Sequence, residues 1–585
     1  MEEPPTEPLH KLPNPIKDKE EGISETTIDS PGPALKGDPA DGAELEDTED
    51  VEVELIVLDS FVSLVEALDS LGVQLIEGEY HLRGSISDES LEKLAAYAQT
   101  ICCFTLTDKA PTLLPETLLR LVQILAQHHS RKNIKSIFPK LDEFYIENAN
   151  TTLALLPLFA TSPIEWLEIH GVSKAKRNTI LTFLHTVAEE ACGLTKIVLD
   201  NTIPYDSSMH QACMRFSKLT ELHLAEVGPV IHKTMLEEIG RLPLIDLRFG
   251  ARCTDYIRQN VDAQAKSSEG GRTSEAHLST SSPYLITADK HLANPASAEL
   301  GFAELQKLLI IAKIDVMTDL ADLIGSEKLA EVSLTLIGTT RVHLPTVDVT
   351  TKAKQNNVLA VQASNNAVSE SRRFHNVLQK ILAAGLSALT KVEIFASSLT
   401  PTGNIYYETP ILGSYSLKAL LSQPTLHTLT ISLWKIRFNL EEILSHLTTL
   451  PQPSNLETLK ITVAGGISLS VLRTILTCCP SMADFHCLFN LNNVPPFPND
   501  GIAFDLETSG AGSIPFDAAD NADPMDVAQY IDALCPNLES IEVQTNAQCN
   551  PEKWKKIHNL IKMCQRSRSY HATAQVKNSG DAMKL

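Results

Sequence analysis

The sequence predicts an α/β solenoid, a horseshoe of stacked strand–helix units with parallel strands on its concave face and helices outside. Three observations predict it. One six-residue apolar pattern recurs thirteen times. Most copies follow one another at the length of one strand plus one helix. Within the copies, the residue between the last two apolar positions is mostly polar, as on a strand with one solvated face. The chain's 585 residues are too many for a single compact core, whereas stacked units lengthen without thickening.

The pattern reads apolar, two variable, apolar, one variable, apolar. Its copies begin at Ile101, Leu141, Ile164, Leu194, Leu219, Leu244, Leu305, Leu329, Leu389, Leu426, Leu456, Met482 and Leu538. Seven of the twelve intervals are 23 to 30 residues, a leucine-rich-repeat-like period. Three intervals near 60 residues hold insertions at about 262–298, 339–370 and 490–525. The column expected to point outward reads Thr105, Tyr145, Glu168, Val198, His223, Arg248, Leu309, Ser333, Glu393, Thr430, Lys460, His486 and Glu542. Chance apolar runs would not keep it polar. An ordinary layered α/β domain is the competing architecture.

Between the strands, apolar residues recur at helical spacing. The expected faces are Leu118, Leu119, Val122, Leu125 and Ala126; Ile180, Leu181, Leu184, Val187, Ala188 and Ala191; and Leu472, Ile475, Leu476 and Cys479. Neither surface of a lone strand–helix unit can be buried, so neighbours must stack.

Charge divides the chain. The net charge is -24. Residues 1–54 carry 17 acids against 4 lysines, a net of -13, leaving -11 for the rest. Residues 1–50 lack apolar periodicity and read as a disordered acidic tail. Residues 51–100 read as an N-terminal cap, with Val53, Ile56 and Leu58 fitting the repeat weakly, and 101–550 as the solenoid. Residues 551–585, with 8 basic and 2 acidic residues, read as a capping helix and basic tail. There is no basic stripe for nucleic acid and no apolar run near twenty residues for a membrane. The 11 cysteines are scattered and contain no CxxC, which points to reduced thiols in the cytosol or nucleus.

The phrases that open several strands are distinctive: Phe138-Pro139-Lys140-Leu141, Cys479-Pro480-Ser481-Met482 and Cys535-Pro536-Asn537-Leu538. Over about residues 91–545 the chain resembles the repeat region of basidiomycete-type fungal F-box/leucine-rich-repeat proteins. The resemblance implies a repeat fold, a protein partner, and a link to ubiquitin-ligase subunits as a substrate-recognition adaptor. No recognisable F-box accompanies it. Leu12-Pro13 is followed by Asn14-Pro15 and charged sequence without a three-helix pattern, so an F-box is lost, unrecognisable or missing, and no docking residues carry over.

No phosphate loop, paired-cysteine or HExxH metal signature, or GxSxG nucleophile motif occurs, so neither catalytic residues, cofactor nor metal is expected. The expected function is non-catalytic protein binding. The alternative is an enzyme with its site in the loop insertions. Candidate partner-binding residues on the strand face are Glu143, Tyr145, Trp166, Glu168, Lys196, Glu221, His223 and Arg248. Tyr145 and Trp166 among charges have the composition of an interface hot spot; alternatively, Trp166 packs beneath the rim. Val53, Leu55 and Ile56, next to the acidic run 46–50, resemble a SUMO-interacting strand that would add to a sheet edge. They otherwise form the first strand of the cap.

Overall fold

In a computed structural model of the chain, the described residues are 56–58, 63, 72–108, 112–132, 135–190, 193–227, 230–251, 255–257, 301–337, 341–343, 369–397, 405–407, 411–432, 435–436, 439–450, 454–462, 467–487, 489–490, 494–496, 523–535, 538 and 551–582. They fall in one unit, Glu54–Leu585.

The fold is α/β, with one open thirteen-stranded sheet. Its strands are β1 (Ile56–Leu58), β2 (Ile101–Thr107), β3 (Glu143–Glu147), β4 (Trp166–His170), β5 (Lys196–Leu199), β6 (Glu221–Leu224), β7 (Asp246–Ala251), β8 (Lys307–Ala312), β9 (Glu331–Ile337), β10 (Lys391–Ser397), β11 (Thr428–Ser432), β12 (Thr458–Thr462) and β13 (Asp484–Cys487). Spatial order equals chain order, and every neighbouring pair is parallel. Twelve of the thirteen sequence copies lie on β2–β13. The last lies outside the described residues, except for the buried Leu538. The first strand, β1, comes instead from the region expected to cap the array.

Each strand buries alternate residues. Phe144 and Ile146 on β3, and Leu167 and Ile169 on β4, are fully buried, and their neighbours are half-exposed. A second ladder runs beneath the side chains. The backbone carbonyl of Cys102 accepts from Asp142 N–H at 3.0 Å, Asp142 O from Glu165 N–H at 2.8 Å, and Glu165 O from Thr195 N–H at 2.8 Å. The relay continues through Thr220, Ile245, Gln306, Ala330, Thr390, His427 and Glu457 to Ala483. It crosses the two long intervals within β7–β10 unbroken: Asp246 pairs with Lys307 and Glu331 with Lys391. The extra residues there therefore leave the strand stacking intact.

Helices return the chain between parallel strands and cover the apolar face. The principal ones are α1 (Asp88–Ala98), α2 (Pro115–Lys132), α3 (Arg177–Glu190), α4 (Ser207–Cys213), α5 (Lys233–Gly240), α6 (Ile314–Leu323), α7 (369–384), α8 (Ser414–Leu421), α9 (Leu440–Ser445), α10 (Leu469–Cys478), α11 (Pro524–Leu534) and α12 (Pro551–Ala582). Their starts are specified locally. Ser87 accepts from Ser90 N–H, Asp206 from Ser208 and Met209 N–H, and Asp523 from Met525 N–H ahead of Pro524, each satisfying an otherwise orphaned donor.

The helix faces differ in detail from the sequence expectation. On α2 the buried stripe is Leu118, Leu121 and Leu125, while Leu119 is 54% exposed and Ala126 is also exposed. Leu119 stands about 100° around the helix from Leu118, off the face that meets the sheet. On α3, Phe183 joins Ile180, Leu184 and Val187 in the core. The face of Leu472, Ile475, Leu476 and Cys479 is buried as expected.

Other segments have definite forms. Val73–Ile76 and Glu79–Leu82 make an antiparallel hairpin. Its two turn residues, Glu77 and Gly78, both have positive φ, the conformation that matches hairpin twist. Of the three insertions, 262–298 lies wholly outside the described residues. In 339–370, Arg341–His343 pairs with Ile405–Tyr407, and residues 369–370 begin α7. In 490–525, Asn490 ends a short strand and Pro524 opens α11. The C-terminal segment is one long helix, with Trp554, Ile557 and Ile561 buried. All eight described cysteines are free thiols. Among the described residues, no helix is long and apolar enough to cross a membrane.

After β2, Asp108 ties one unit to the next. Its carboxylate accepts the backbone N–H groups of Asn150, Thr151 and Thr152 at 2.6, 2.9 and 3.0 Å, and the Thr152 hydroxyl at 2.7 Å. Partial burial raises its pKa. These donors, chiefly Thr152, outweigh that effect and hold it below the usual carboxylate value. The charged form therefore stabilises the fold above the unfolded pKa, and the contribution disappears as pH falls through the folded value. Asp108→Asn should cost about 1–2 kcal/mol at pH 7, given the site's partial exposure. Melting temperatures of both proteins between pH 7 and pH 3 should converge as the pH drops. A gap that stays constant would show that the charge contributes nothing.

Candidate functional site: the outward strand face

Parallel pairing in register arranges the outward side chains in columns. One column runs Cys103, Glu143, Trp166, Lys196, Glu221, Asp246, Lys307, Glu331, Lys391, Thr428, Thr458 and Asp484. The next runs from Thr105 and Tyr145 through Glu168, Val198, His223 and Arg248 to Lys460 and His486, in the order expected from the sequence. All eight candidate residues thus lie on five neighbouring strands. Glu143, Tyr145, Trp166, Glu168, Lys196, Glu221 and His223 are half-buried, and Arg248 is exposed. Most of the second column is half-buried because neighbouring side chains in a parallel sheet are only about 4.8 Å apart and screen one another. His486 departs from expectation and is buried.

Trp166 is the centre of a polar network. Its indole N–H donates to Glu168 Oε1 at 2.7 Å. The Lys196 ammonium lies 3.3 Å from its ring centroid, a cation–π geometry. The Tyr145 ring is 6.0 Å away, and its hydroxyl donates to Glu143 Oε2 at 3.0 Å. The indole is therefore neither a bare aromatic anchor nor packed into the core. One face is covered by a cation that is itself only 16% exposed.

Glu168 collects this network. Lys196 Nζ is 3.5 Å from Oε1, and His170 Nε2 is 3.1 Å from Oε2. Burial raises the Glu168 pKa, but His170, Trp166 and Lys196 together hold it below the ordinary value. Burial and the Glu143 carboxylate raise the Tyr145 hydroxyl and push the Cys103 thiol up to about 12. Both therefore stay protonated at neutral pH.

Lys196 also lies 3.6 Å from Glu221 Oε2. On the adjoining strands, Asp246 Oδ2 is 3.3 Å from His223 Nε2 and 3.2 Å from an Arg248 guanidinium nitrogen. Burial raises the Asp246 pKa, and His223 and Arg248 reverse that and lower it. Beyond Asp246 the face continues as an open groove of about 230 Å³ lined by residues including Lys307, Leu309, Glu331, Lys391 and Glu393. Lys307 pairs with Glu331 at 3.2 Å, and Lys391 with Glu393 at 3.1 Å.

Sequence reasoning missed His170, which lies two residues beyond Glu168 and so was available from the same alternation. It also stopped short of β8–β10, whose outward residues line the groove. No motif spacing marked Glu221, His223 and Asp246 as a group. They converge only because β6 and β7 pair in register. The edge strand β1 contains Ile56, paired with Ile101. Val53 and Leu55, the other members of the suggested SUMO-interacting strand, lie outside the described residues. Compared with known proteins, the chain matches no family model and none of the curated sequences.

Proposed function

We propose that this chain is a non-catalytic, leucine-rich-repeat-like solenoid that captures a protein partner on its outward strand face. The observation that carries the reading is the Trp166 network. It places two aromatic rings and a set of charges on one rigid face in two in-register columns. Rigid aromatic side chains ringed by polar groups are characteristic of protein interfaces. Strand order equal to chain order, with all-parallel pairing and a carbonyl relay of eleven hydrogen bonds across twelve units, supports a stacked-repeat architecture. The horseshoe curvature belongs to the same proposal. The resemblance to F-box repeat proteins makes a ubiquitination substrate the proposed partner, and ubiquitin-ligase subunits the proposed associates.

Trp166→Ala should reduce partner capture by about 30-fold, the size of a hot-spot loss, while lowering the melting temperature by only a few degrees. Affinity purification with mass spectrometry, comparing the wild-type chain with this variant, provides the measurement. Undiminished capture by a folded variant would refute the face assignment. So would unfolding of the variant, since Trp166 would then be a structural residue. Recovery of Skp–cullin subunits supports the adaptor role, and their absence removes it.

A further inference from the structure

The geometry points to a divalent transition-metal site formed by Glu221, His223 and Asp246. Glu221 and His223 are alternate residues of β6 and face the same way. Asp246 on β7 sits directly opposite Glu221 in the ladder. One ligand atom from each, two carboxylate oxygens and an imidazole nitrogen, lies within 4.8 Å of both others.

Three features set this cluster apart from a chance meeting of charges. His223 Nε2 is shielded from solvent and has no hydrogen-bond partner. It lies 3.3 Å from Asp246 Oδ2 as an ion-pair contact. A metal ion placed between them would use the imidazole lone pair and the carboxylate together. Second, ligand atoms about 2.0–2.1 Å from a tetrahedral ion stand about 3.3–3.4 Å apart, which is the His223–Asp246 separation. Third, Asp246 is 8% exposed and held on a paired strand, so its carboxylate is positioned before an ion arrives.

The groups that would give way are identifiable. Arg248, which neutralises Asp246, has a side chain 53% exposed and is free to swing into solvent. Lys196 would release Glu221 while keeping Glu168 and the Trp166 ring. Glu221 is itself 39% exposed, so its carboxylate is not locked in the core. One imidazole with two carboxylates suits zinc or cobalt rather than calcium or magnesium, which prefer all-oxygen shells. Three protein ligands leave a fourth position to water.

The test uses the full chain without an affinity tag, titrated with Co²⁺ and followed by its visible absorption. The expected result is one bound ion with tetrahedral bands, displaced by Zn²⁺. His223→Gln and Asp246→Asn should each weaken binding at least about ten-fold. His185→Gln, on α3 away from the strand face, should leave it unchanged. Zinc should raise the melting temperature of the wild type and not of the folded His223→Gln variant. Absence of cobalt binding overturns the site. So does equal affinity in wild type and His223→Gln, or equal loss in His185→Gln.

Discussion

Replacing Phe159 with alanine should destabilise the N-terminal part of the array by about 3–5 kcal/mol. Phe159 is fully buried. Its ring stacks on Phe138 at 4.8 Å and Phe144 at 4.6 Å, and meets Phe104 at 4.9 Å. Phe144 in turn meets Phe183 edge-on at 5.8 Å. These rings come from the units around β2, β3 and α3, so one side chain ties several layers together. Collapse into the vacated space is restricted because the backbones of β2 and β3 are fixed by their ladder. The loss should therefore sit near the upper end of large-to-small replacements. Because each strand of the sheet pairs only with its neighbours in the chain order, the damage should be local. Hydrogen exchange should accelerate in β2, β3 and β4 and remain near wild type in β12. A uniform loss across the array, or one below about 1 kcal/mol, would contradict this account. Phe159→Leu, which retains most of the volume, should cost less.

His210→Ala should cost about 3–4 kcal/mol, combining a cavity with an unsatisfied buried hydroxyl. Tyr205 is fully buried, and His210 is 3% exposed. Burial raises the Tyr205 pKa far above its usual value, so the phenol stays protonated and donates to His210 Nδ1, 3.0 Å away. On its other side the imidazole donates from Nε2 to the Glu238 Oε2 carboxylate oxygen. This chain joins the loop after β5 to α4 and α5. Removing the imidazole leaves Tyr205 without its acceptor. Tyr205→Phe should cost only about 1–2 kcal/mol. The double variant should fall short of the sum by about 1–2 kcal/mol. Denaturant titrations of the four proteins give that coupling, and strict additivity would show that the hydrogen bond adds nothing. Glu238→Gln retains an acceptor and should change stability by less than about 1 kcal/mol.

The sheet was legible because one-sided burial imposes a period of two on the sequence. Any strand that buries one face must alternate, and the spacing of the copies placed twelve strands. The outward columns followed from the same alternation. Elements without such a constraint were harder to read. β1 is three residues long, too short for its alternation to stand out. The Glu77-Gly78 hairpin had a turn signal, but its strands expose much of both faces. On α2, apolar residues exceed one stripe, so periodicity alone left the buried phase one position ambiguous.

By itself the sequence determined which strand residues alternate between the core and the outward face, because burial acts on each residue locally; helix phase and exceptions such as His486 it left open. The tertiary structure decided which outward residues meet. Lys196 reaches Trp166, Glu168 and Glu221 from neighbouring strands, and Asp246 reaches His223 across one more pairing. Those distances depend on strand register between residues 23 to 30 positions apart in the chain. Register is set by the carbonyl relay and the ladder hydrogen bonds, which involve backbone groups that every residue shares. The aligned apolar pattern gives the columns, but the side-chain directions and distances that join the polar network and bring Glu221, His223 and Asp246 together are set by packing on the stacked strands.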